Sequence, residues 1–64
     1  SNRAWQFTAP QSDTAPTSAP DTFSNADGTL PVGMIQIQLN AAGSAIIIYA
    51  NVGGTIKTGT VALV

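Results

Sequence analysis

Ser44-Ala45-Ile46-Ile47-Ile48-Tyr49-Ala50-Asn51 carries no charge and no proline. Its isoleucines are β-branched and stiff at χ1, which disfavours a helix, and a run that is apolar on both sides suits a central strand covered above and below. The flanking residues supply partners for it. Upstream, Ile35, Ile37 and Leu39 alternate with Gln36 and Gln38 across residues 33–40, the period of two expected of a strand with one buried face. Downstream, residues 55–64 alternate Thr55, Lys57, Gly59, Val61 and Leu63 against Ile56, Thr58, Thr60, Ala62 and Val64. Asn40-Ala41-Ala42-Gly43 gives a loop of hairpin length, and Asn51-Val52-Gly53-Gly54 gives a second turn. The prediction is an all-β chain: an extended N-terminal arm, then a small three-stranded antiparallel meander completed by neighbouring subunits.

Ahead of these strands the chain changes character. All four prolines (Pro10, Pro16, Pro20 and Pro31) and four of the five charged residues (Arg3, Asp13, Asp21 and Asp27) fall in residues 1–31, leaving only Lys57 in residues 32–64. That split defines an extended Pro/Ser/Thr-rich arm, residues 1–31, and a β module, residues 32–64. Thr8-Ala9-Pro10, Thr14-Ala15-Pro16 and Ser18-Ala19-Pro20 each place a hydroxyl residue two positions before a proline. Proline fixes φ and biases its predecessor toward extended geometry, so this tract favours polyproline II or irregular extended backbone. At about 3.1 Å per residue, residues 8–31 span up to roughly 70 Å, which suits a strap across another protein's surface, the alternative being a linker with no fixed path. Trp5 and Phe7 share one side of an extended Ala4-Trp5-Gln6-Phe7-Thr8 and read as anchors for a groove or an open sheet edge on a neighbour. Phe23, alone in the polar tract, reads as a further anchor.

Sixty-four residues form one small domain, in a range where a hydrophobic core supplies only about 3–5 kcal/mol and disulfides, metals or partner chains normally add the rest. With no cysteine, histidine or glutamate, neither a disulfide framework nor an ordinary transition-metal site is available, and no cofactor is implied. Association with other chains is the remaining staple. A net charge of −1 with two cations offers no footprint for phosphate backbones or anionic lipid, so neither nucleic acid nor membrane is an expected partner. The continuously apolar stretch, residues 45–50, falls far short of the ~20 residues that cross a bilayer. Charged residues make up 8% of the chain, about a third of the usual ~25%. A freely diffusing monomer ordinarily needs more charge to stay dispersed.

Catalytic chemistry finds no foothold. The three aspartates lie in the proline-rich arm and read as solvated turn residues, and no histidine or cysteine exists to complete a nucleophilic triad. Gly53-Gly54 lacks the lysine and helix of a phosphate loop. The chain is not expected to be an enzyme. Lys57 reads as a solvated strand charge that limits edge aggregation, or as a partner for a carboxylate on another chain. Nineteen of the 33 residues from Val32 onward are apolar, and residues 45–50 have the uncharged, β-prone composition of a steric zipper. Such strands need cover from a neighbour, which makes Ile35, Ile37, Ile46, Ile47, Ile48, Tyr49, Val61 and Leu63 the candidate sheet interface and the chain a homo-oligomer, trimer or dimer.

A short cysteine-free chain with an extended arm and a charge-poor β module resembles the decoration or cement proteins of bacteriophage capsids, across its whole length and by architecture. The resemblance implies a structural virion protein that binds the assembled major capsid protein, or another shell protein, on the capsid exterior after assembly in the host cytoplasm. Two other classes stay open: a fibre-forming or surface subunit of pilus, adhesin or tail-fibre type, and a small peptide- or ligand-binding module.

Overall fold

The computed structural model of this chain describes residues 4–19 and 28–64. Its elements are β1 (Thr17–Ser18), β2 (Thr29–Leu30), β3 (Ile35–Leu39), β4 (Ala45–Val52) and β5 (Thr55–Ala62), with no helix among the described residues. The protein is all-β. Strands β3, β4 and β5 form an antiparallel sheet in that order, and β1 pairs in parallel with β2. The apolar run thus takes the central place, with Ile37 opposite Ile48 and Ile48 opposite Gly59.

Glycine sets two turns at one end of the meander. Gly53 and Gly54 both have positive φ, 62° and 99°, and they alone connect Val52 to Thr55. Two left-handed residues in succession are what a type I′ turn requires, and its twist matches that of the strands it joins. At the same end of the sheet, where β3 begins, Met34 N donates to Pro31 O (3.1 Å) with Gly33 at φ 83°, a type II turn. Gly33 N then donates to Asn51 O (2.9 Å) while Asn51 N donates to Met34 O (3.1 Å). Two residues oppose one, so Gly33 and Met34 form a glycine bulge where the regular alternation of residues 33–40 gives no sign of one. β3 therefore begins two residues later than its periodicity suggests.

Side-chain parity divides the sheet into two unlike faces. Gln36, Gln38, Ile47, Tyr49 and Asn51 share one face, and Ile35, Ile37, Ile46, Ile48 and Val61 share the other. The arm lies against the first. Gln38 and Asn51 are both 2% exposed and Tyr49 is buried, together with Pro16, Ala19, Leu30 and Ala45.

Hydrogen bonds explain why the amide face is the covered one. Gln38 Nε2 donates to Ser12 O (2.7 Å) and Thr14 O (3.1 Å), and Gln38 Oε1 accepts from Gln36 Nε2 (2.8 Å). Asn51 Nδ2 donates to Leu30 O (2.7 Å) and Ser18 Oγ (2.9 Å), while its Oδ1 accepts from Gly54 N (2.8 Å). A buried amide left unpaired costs about 1–3 kcal/mol, so these two side chains need the carbonyls that the arm brings. The strap expected to cross a neighbour spends residues 10–19 on its own sheet.

Candidate assembly interface

The arm joins the outer edge of β3 at one rung. Leu39 N donates to Pro10 O (2.8 Å) and Ser12 N donates to Leu39 O (2.8 Å), a parallel bridge centred on Gln11. The next rung would need an N–H at residue 10 to reach Ile37 O. Proline has none. The ladder stops there, and the aromatic segment that precedes it is held off the sheet: Trp5 is 95% exposed and Phe7 70% exposed.

With the amide face covered, the opposite face is bare and aliphatic. Ile35 is 65% exposed, Ile37, Ile48 and Val61 are exposed, and Ile46 is half-buried. Lys57, opposite Ala50 in register, is the cation on that face. Three strands about 4.8 Å apart and up to eight residues long, at about 3.3 Å per residue, make a face of roughly 350–400 Å². That lies within the size of the largest apolar patch on a typical monomer, a class that is often functional. At one end, beside the Gly33 bulge, Met34, Ile35, Ala50 and Val52 line a shallow hollow of about 350 Å³.

The residues expected to form a sheet interface therefore part company. Ile35, Ile37, Ile46, Ile48 and Val61 gather on the bare face, and exposed Leu63 follows the end of β5. Ile47 and Tyr49 face the other way, on the side that carries the arm, Tyr49 buried and Ile47 half-buried. Trp5 and Phe7 stand out on the arm, and Phe23 lies outside the described residues. Asp13 is exposed, as a solvated turn residue is, but its Oδ1 also accepts from Ala41 N (2.9 Å) and so ties the arm to the β3–β4 loop.

Two further exposed apolar residues lay outside what the sequence pattern pointed to. Val52, 56% exposed, continues the parity of Ile46 and Ile48 past the end predicted for its strand, and Met34 is turned outward by the bulge. The parity was readable; the bulge was not.

The outer edge of β5 is a third exposed element. Leu63 N donates to Ser44 O (2.9 Å), which fixes the hydrogen-bonding parity of the hairpin and turns the main-chain groups of Ile56, Thr58, Thr60 and Ala62 away from β4. No strand pairs with that edge among the described residues. No group of three metal-ligating side chains gathers among the described residues, and no helix there is long and apolar enough to cross a membrane. No family model, curated protein or solved structure matches this chain.

Proposed function

We propose that this chain is a structural subunit of a protein shell: a capsid decoration or cement protein that binds an assembled lattice of major capsid protein and stabilises it. The observation that carries this reading is the division of labour between the sheet faces. The chain uses its own arm on the amide-bearing face and leaves the aliphatic face, the β5 edge and the two arm aromatics for other chains. A ligand that binds the assembled lattice and not its free subunits stabilises the lattice by mass action. Several modest contacts on one small body act together through high effective concentration. With charge so scarce, attachment is apolar and backbone-mediated, and moderate salt leaves it in place.

The test is co-sedimentation with shells of the major capsid protein encoded in the same genome. The purified chain is expected to pellet with assembled shells, not with free subunits, and to raise the temperature at which the shells come apart. Failure to pellet, or release by moderate salt, contradicts the proposal. The unpaired β5 edge favours one second reading, a fibre-forming subunit that grows by strand addition. Fibres growing from the purified chain alone would select it.

A further inference from the structure

Trp5 and the hollow beside Gly33 are two unmatched halves of a contact carried on one chain. We propose that the aromatic segment of one copy docks on the aliphatic face of a second copy, with Trp5 in the hollow lined by Met34, Ile35, Ala50 and Val52, and that the exchange is reciprocal. The occupant is a second copy of this chain. The inference rests on the associating surfaces described above and is independent of which shell the pair joins.

Area decides in favour of a joint contact. A standard interface covers about 800 Å² on each partner, and the aliphatic face alone supplies roughly half of that. Trp5 is almost fully available and Phe7 largely so, and burying an aromatic side chain removes about 150–250 Å² from water. Face and arm together reach the standard size, and neither does so alone. Because each chain carries both parts, two copies satisfy each other completely and leave neither part bare.

Charge agrees with this choice. Residues 4–9 carry none and the face carries Lys57, so nothing in the surface calls for a partner of opposite charge. The arm is also built to leave its own sheet. Pro10 ends the rung at Leu39, and the segment before it exposes both of its aromatic side chains. Pairing by exchange keeps the β5 edge open, so each pair retains an unpaired strand for the shell.

Trp5 is the sole tryptophan, so its fluorescence reports its own burial. In a dilution series of the intact chain, emission at high concentration is expected to be blue-shifted and several-fold less quenched by acrylamide. Both signals should revert on dilution in step with the halving of mass measured by sedimentation. Trp5→Ala removes only an exposed side chain, so the fold is retained, and it should weaken pairing by roughly 30-fold for each of the two reciprocal contacts, about 1,000-fold in all, as aromatic hot spots do. Val52→Lys in the hollow should abolish the blue shift, and Thr58→Lys on the opposite face should not. Three outcomes overturn the proposal: a pair in which Trp5 stays fully quenchable, a Trp5 protected at monomer mass by its own sheet, and a chain that remains monomeric. The shell co-sedimentation assay reads separately, so a shell-binding monomer would sink this inference and spare the proposed function.

Discussion

Gln38 and Asn51 are the largest side chains fully removed from solvent, and both are amides. In a chain whose hydrophobic core is small, they join the arm to the sheet through four hydrogen bonds, three to backbone carbonyls and one to Ser18 Oγ, and a fifth, from Gly54 N, ties Asn51 to the β4–β5 turn. Every buried side-chain polar atom among the described residues has a partner. Replacing Gln38 by Ala strips the carbonyls of Ser12 and Thr14, and the amide of Gln36, of that partner at once. The expected loss is about 2 kcal/mol in urea unfolding, with faster exchange of the Ser12 amide, because an unsatisfied buried polar group costs about 1–3 kcal/mol. A Gln38→Ala chain as stable as one carrying the exposed change Thr58→Ala would show that the arm is not held in this way. The same residue explains a limit of pattern reading. Alternation of isoleucine with glutamine announces a two-faced strand, yet it does not say which face a chain's own arm will cover, and here hydrogen bonding selects the polar one.

The arm, the bulge and the β5 edge each follow from a single backbone group. Pro10 lacks the N–H that Ile37 O would accept, so the parallel pairing of arm and β3 ends after one bridge. Pro10→Ala restores that donor. The predicted result is a longer ladder: a slowly exchanging amide at position 10, an arm drawn along β3, and weaker pairing of copies. An amide at position 10 that exchanges as fast as an open chain would contradict it. Much at this level was legible in the sequence. The three strands, the Gly53-Gly54 turn and the central place of residues 45–50 follow from periodicity and turn chemistry, and strand ends shifted by one or two residues. The pairing of β1 with β2 and the bulge at Gly33 were not legible, since each depends on residues distant in sequence meeting: Thr17 with Gly28, and Gly33 with Asn51. Nor does the sequence distinguish Ile47 and Tyr49, on the face that carries the arm, from Ile46 and Ile48 on the other. A run apolar on both sides gives no sign of which residues the arm will claim.

For the molecule as a whole, the described residues cover one face of the sheet and leave the other exposed. The amide face carries its own cover, while Ile35, Ile37, Ile48 and Val61 remain exposed in a chain with few charges to keep it dispersed. If, as proposed, another chain covers that face, its aliphatic character makes the association insensitive to salt and sensitive to a single buried charge. Ile48→Lys, at the centre of the face, should therefore block association while leaving the arm and its hydrogen bonds in place. The most direct measurement is the mass of the purified chain by sedimentation across a wide range of concentration, beside the Ile48→Lys variant. The wild-type chain is predicted to form a discrete oligomer, a small multiple of 6.5 kDa, and the variant to stay at 6.5 kDa. A wild-type chain that remains a cooperatively folded 6.5 kDa monomer at the highest concentration would contradict it.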